Sequence, residues 1–118
     1  MKIFYKVMKA LLIVSLIFFS IISIPCKISA LDSNKGESLF MQHCAGCHIN
    51  GGNVIRRNKT LKIKDLQRNK LDNIENIAQV AREGVGIMSG YEEVLGPEGD
   101  ILVAEWVLSK AQKAWIQE

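Results

Sequence analysis

The sequence predicts an all-α domain of three main helices plus a short one, set behind an export segment. Three observations lead to that reading. A lysine-studded start runs into an uncharged apolar stretch, three later segments repeat apolar residues at three- and four-residue steps, and no convincing parallel sheet interrupts them. Of 118 residues, 15 are basic and 12 acidic, giving +3. Lys2, Lys6, Lys9 and Lys27 supply four positive charges with no acid before position 28, so the remainder carries 11 basic against 12 acidic residues. That balance lacks the basic footprint of a nucleic-acid binder.

Between Lys9 and Lys27 lie 17 uncharged residues dominated by Leu, Ile, Val and Phe. This is the layout of a secretory signal peptide, with cleavage expected after Ala30 in Ile28-Ser29-Ala30, where Ile three residues before the cut is less usual. Residues 1–30 then form the leader and residues 31–118 one domain of 88 residues, too few for two domains and short enough to gain from a bound cofactor. Two alternatives stand beside cleavage. The uncharged run is at the lower limit for an uncleaved membrane anchor, and Cys26 offers a site for lipid, although Pro25 directly before it fits such processing poorly.

The first helix of the domain is capped by Asp32 or Ser33, has Glu37 in its early turns, and carries Leu39, Phe40 and His43 on one side. Gly36 interrupts it. Glycine inside a helix costs about 1 kcal/mol against alanine, which points to a second helix crossing close by. A shorter helical turn is predicted over Ile63 to Asn69. The next main helix opens on Asp72 with Glu75 three residues on, a capping-box pattern, continues through Ile74, Ile77, Ala78 and Ala81, and closes at Gly84. After Pro97, Glu98 and Gly99, Asp100 is expected to cap the C-terminal helix. Its apolar face takes in Ile101, Ala104, Leu108, Ala111 and Trp115, widened by Trp106 and Val107. This helix is the expected partner at Gly36.

Removal of the leader leaves two cysteines, Cys44 and Cys47, in an oxidising compartment. A disulfide between them would close too small a loop to restrict the unfolded chain. They belong to Cys44-Ala45-Gly46-Cys47-His48, the Cys-x-x-Cys-His run of covalent c-type haem attachment. Two thiols add across the vinyl groups on one porphyrin edge, and the adjacent His48 supplies a nitrogen to the iron. Zinc would need four ligands, and no second Cys or His pair follows downstream. A thioredoxin-like pair would need a strand-helix context that the chain lacks.

The second axial position decides between electron transfer and reaction with small molecules. Met41 and His43 precede His48 by seven and five residues, a tether too short to reach the opposite face. Met88 lies 40 residues downstream in Gly84-Val85-Gly86-Ile87-Met88-Ser89-Gly90-Tyr91, where glycines permit close backbone approach to a flat ligand. Met88 is therefore assigned as the thioether ligand. A neutral soft ligand favours ferrous iron and a comparatively high potential. Burying about 400 Å² of porphyrin and protein surface contributes on the order of 10 kcal/mol as an upper bound, so one haem c with its iron is part of the core.

These residues resemble the class I cytochromes c, and within them the cytochrome c6 family. The resemblance spans the chain after the leader. It includes the Gly36 and Phe40 helix, Cys44 to His48, Gly51-Gly52-Asn53-Val54-Ile55 with Lys59-Thr60-Leu61, the Met88 loop, and Trp106-Val107-Leu108-Ser109 running towards Trp115. It implies a class I cytochrome c fold wrapped around one haem bound through Cys44 and Cys47, with His48 and Met88 as axial ligands. It also implies an electron-transfer protein rather than an enzyme, a monomer in the thylakoid lumen or periplasm. Its partners would be the cytochrome b6f complex, photosystem I and a terminal oxidase, docked transiently. Three departures stand out. Ser89 follows the methionine where the family usually has proline, Ile87 stands where a small residue is common, and Arg56, Arg57 and Asn58 occupy a region that is often less basic. Arg56 and Arg57 could meet haem propionates or an acidic partner, or be solvated surface charge. The missing proline motivates the alternative of a labile sixth ligand, as in a sensor or weak peroxidase; a membrane-anchored carrier is the other alternative.

Overall fold

The computed structural model describes residues 1–21 and 30–116. Helix α1 (Lys2–Ile21) lies within the expected leader, and its apolar side chains up to Val14 are exposed. Cys26, Pro25 and the approach to the expected cleavage site lie outside the described residues. Among the described residues no helix is long and apolar enough to cross a membrane.

The domain is built from α2 (Ala30–His43), a 3-10 turn (Ile49–Gly51), α3 (Ile63–Arg68), α4 (Ile74–Glu83), a hairpin of β1 (Gly84–Val85) and β2 (Met88–Ser89), α5 (Glu92–Leu95) and α6 (Gly99–Gln112). The expected helices are all present. The hairpin and α5 are additions: the hairpin lies in the stretch from Gly84 to Tyr91 that the sequence reading treats as a glycine-rich loop, and α5 follows directly after it.

Helix α6 is the central element and packs on both α2 and α4. Its crossing with α2 occurs at Gly36, as the glycine implied. A methyl group there would overlap the Leu102 carbonyl and come within 3.2 Å of the Trp106 Cβ. The core joins Phe40 of α2, Leu66 of α3, Ile77, Ala78 and Ala81 of α4, Leu95 of α5, and Val103, Ala104, Trp106, Val107 and Ala111 of α6. Phe40, Trp106 and Trp115 form a cluster, with ring centroids 4.7 Å apart for Phe40 and Trp106 and 5.6 Å for the two tryptophans. Aromatic contacts of this kind add to the stabilisation from buried area.

Helix boundaries correct several expectations. Helix α2 already begins at Ala30, so Asp32 and Ser33 lie inside its first turn rather than at the cap. At α4 the cap is Asn73, whose side chain accepts from the Asn76 amide at 2.9 Å, and not Asp72. Both residue types cap well; the one directly before the first helical residue has the extended backbone the position needs. Asn69 terminates α3 instead of lying within it. Glu98, in left-handed conformation, precedes α6, while Asp100 is buried in the first turn and paired with Arg82. The buried stripe of α6 takes in Val103 and leaves Ile101 exposed, because the helix is gripped from two sides. Trp115 lies past the helix end, where positive φ at Ala114 and Trp115 swings its ring back over the domain.

Candidate functional site

The run from Cys44 to His48 continues the end of α2 as a tight turn. The Cys44 amide donates to the Phe40 carbonyl at 2.8 Å, and the amides of Cys47 and His48 both donate to the Cys44 carbonyl, at 3.2 and 3.0 Å. Neither cysteine is in a disulfide; Cys44 is half-buried and Cys47 exposed. Burial pushes the Cys44 thiol up to about 11, with the neighbouring Cys47 adding to the shift. Two free thiols thus stand on one turn with the histidine directly behind them.

His48 is buried, and its Nδ1 lies 2.8 Å from the Gly52 carbonyl oxygen. A carbonyl can only accept, so Nδ1 is the protonated nitrogen and donates, leaving the Nε2 lone pair for a metal. Such a bond fixes both tautomer and ring orientation. The donor set fits covalently attached haem. It does not fit zinc: among the described residues no group of three or more His, Cys, Asp or Glu could hold a metal ion.

The segment after His48 is folded back on the turn. The Val54 amide donates to the Cys47 carbonyl at 3.0 Å, and the Leu61 amide to the Gly51 carbonyl at 2.8 Å. Asn53 organises the loop: its Oδ1 accepts from the amides of Ile55 and Arg56, and its Nδ2 donates to the Lys59 carbonyl at 2.9 Å. Gly51, at φ 72°, lies directly beneath the Trp115 ring, whose Nε1 donates to the Leu61 carbonyl at 3.0 Å. No side chain but hydrogen could occupy Gly51. Arg56 and Arg57 are exposed and form no ion pair among the described residues.

Met88 is half-buried and sits on a separate element, the β1–β2 hairpin, with Val85 opposite it in the register. The two-residue turn Gly86-Ile87 has φ 58° at the glycine, and Ile87 keeps a negative φ, the pattern of a type II′ hairpin. Gly84 ends α4 at φ 80° and packs against the Met88 carbonyl and Gly90, so the three glycines serve a turn and two close backbone crossings. Tyr91 donates its amide to Ala81 at 2.9 Å and lays its ring 6.4 Å from that of His43.

Sequence reasoning therefore finds Cys44, Cys47 and His48 already together, and Met88 on a built turn. It misses Asn53 and Gly52 as the groups that order the loop and orient His48. Asn53 directly after a glycine pair, with Lys59 at short range, is the signal that could have exposed the turn. It also misses the Arg82–Asp100 pair, because Asp100 just ahead of an apolar stripe reads equally well as a cap.

Residues 32–107 match the family described as cytochrome C oxidase, cbb3-type, subunit III. A protein named cytochrome c6-like from Nostoc sp. strain PCC 7120 is 38% identical over 110 residues, covering 93% of this chain and 97% of the relative. Among solved structures, cytochrome c6B from Synechococcus sp. WH8102 superposes with a TM-score of 0.71 at 58% identity, over 73% of this chain and 98% of that one. Oxidized cytochrome c6A from Arabidopsis thaliana gives 0.69 at 36% identity, over 76% of this chain and 100% of that one.

Proposed function

The chain belongs to the cytochrome c6 family of class I c-type cytochromes, and from that premise we propose that it carries one electron at a time on a haem with His48 and Met88 as axial ligands. Family members bind one covalent c-type haem with iron, and Cys44 and Cys47 fit its attachment motif. When bound, that group supplies an iron centre that alternates between the ferric and ferrous states.

The observation that carries the ligation is the hydrogen bond from His48 Nδ1 to Gly52. It commits one ring nitrogen to the backbone and presents the other as a neutral ligand, in the same turn as both thiols. Met88 contributes the opposite ligand: it is half-buried, it stands on a hairpin with a defined turn, and its sulfur is soft and uncharged. The buried Phe40 and Trp106 on α2 and α6 keep water from the interior. With His48 and Met88 as its two protein ligands, the iron would have no open position for a substrate, which would suit a carrier rather than an enzyme. Met88→Ala is expected to abolish the weak near-infrared sulfur-to-iron absorption of the oxidised protein, with the pigment still covalently bound. Absence of that band from the wild type sinks the assignment.

The partners follow from the family: the cytochrome b6f complex as donor, with photosystem I or a terminal oxidase as acceptor, met by brief docking of a monomer. Arg56 and Arg57 are exposed beside the attachment loop and available to such a surface. Flash-induced oxidation of the ferrous protein by isolated photosystem I checks this directly, and no oxidation at any protein concentration removes that acceptor. Export to the thylakoid lumen or periplasm goes with removal of residues 1–30. The mass of the mature protein tests cleavage after Ala30, a retained anchor adding the leader to that mass.

A further inference from the structure

We infer that the Arg82–Asp100 ion pair is the positioning device for the hairpin that carries Met88; this rests on Met88 being the sixth ligand. Asp100 is the one buried acidic residue among the described residues, 9% exposed, and its carboxylate is paired with the Arg82 guanidinium. A carboxylate this far buried is costly without a partner, and Arg82, itself partly exposed at the cleft edge, supplies one. Each partner also sits at the helix end that favours its sign. Arg82 is in the last turn of α4, where carbonyls are unpaired, and Asp100 is in the first turn of α6, where amides are.

What lies between the two residues gives the pair its role. The hairpin leaves α4 directly after Arg82 and Glu83, carries Met88, and returns across its own base. Gly90 passes against the Arg82 carbonyl so closely that a methyl group there would collide with it, and Tyr91 bonds back to Ala81. The chain then runs through α5 and the Gly96-Pro97-Glu98 corner to Asp100. The ion pair therefore closes the whole segment 82–100, with Met88 inside it. The buried face of α4, with Ile77, Ala78 and Ala81, packs on α6, and the ion pair is the clasp that closes the open side of that contact. A cleft of about 480 Å³ opens beside it, lined by Arg82, Glu92, Leu95, Pro97, Glu98 and Asp100. No proline stiffens the strand after Met88, where Ser89 stands. If the clasp opens, the α4 end and the α6 start can part, and the hairpin with its thioether can lift away.

The test uses the holoprotein with two variants and two readouts. The double variant R82M/D100L removes both charges and leaves neither unpaired, so overall stability to denaturant is expected to stay close to wild type while the clasp is lost. Its ferrous form is expected to bind carbon monoxide about tenfold faster or more, as the ligand-off population grows by the free energy of the lost contact. Its near-infrared band is expected to weaken. R82K, which keeps the charge but not the planar fork, is expected to fall between the two, and it decides the matter if the double variant does not fold. A wild-type band with both variants unchanged in band and carbon monoxide rate overturns the clasp and leaves the Met88 assignment standing. A wild type without the band overturns both together.

Discussion

From Cys44 to Leu61 the backbone is tied to itself at every few residues, His48 is buried, and an indole ring covers the turn. Between Gly84 and Gly90 the chain rests on one two-residue hairpin, with Val85 and Ile87 exposed and Met88 only half-buried. The first region orders its ligand by local bonds among residues close in sequence. The second orders its ligand by where two helix ends lie, and those ends are 18 residues apart along the chain. The proposed carrier would need both His48 and Met88 to remain in place in both oxidation states. The difference teaches that the His48 turn is held mainly by bonds within its own segment, whereas the Met88 hairpin is set between the end of α4 and the start of α6.

The sharpest way to break this contrast is a methyl group at the turn glycine of each region. Gly51→Ala meets both a left-handed backbone and the Trp115 ring, and is expected to destabilise the holoprotein by about 3–5 kcal/mol. Gly86→Ala has the same sign of φ but nothing within 4 Å of the added carbon, so about 1 kcal/mol is expected. Denaturant unfolding of both variants measures this, and equal losses would show that the two regions are equally constrained. A smaller effect concerns the start of α4, on which the hairpin stands. Asn73→Ala removes the observed cap and is expected to cost about 1 kcal/mol, while Asp72→Ala should stay within about 0.5 kcal/mol of wild type. A reversed order would restore the capping box that the sequence suggests.

The same contrast explains what could be read from the sequence. Cys44, Cys47 and His48 are contiguous, so their chemistry is written in one short run. Gly36 announced the α2–α6 crossing because a glycine within a helix has little reason to be there except a near neighbour. Met88 can be proposed by elimination and by its glycines, but the hairpin that carries it is not legible, since two-residue strands carry no periodicity to detect. Asp100 and Trp115 were both seen and both misplaced. A helix-capping acid and a buried ion-paired acid have the same sequence signature. The stripe that includes Trp115 continues at helical spacing past the point where the backbone leaves the helix. Each of these errors concerns a residue whose role is set by a partner more than 15 positions away.

The smallest expected effect lies on the attachment side and depends on acid. Asp65 accepts from the Thr60 hydroxyl at 2.6 Å and from Arg68 at 2.9 Å, joining the end of the haem-side loop to α3. The Thr60 hydroxyl bond, followed by the Thr60 amide and the nearby Arg68 and Lys64 charges, holds its carboxyl below the ordinary aspartate value. A carboxyl with a lowered value in the folded state stabilises the protein above the unfolded pKa. That contribution is lost as pH falls through the folded value, so the window lies on the acid side of about pH 4. Thr60→Val removes the largest cause, so the variant is expected to be slightly less stable than wild type near neutrality and to lose stability less steeply over that window, the two curves converging in acid. Unfolding midpoints measured across the acid range check it, and parallel curves for the two proteins would mean that the Thr60–Asp65 contact does not help hold the loop to α3.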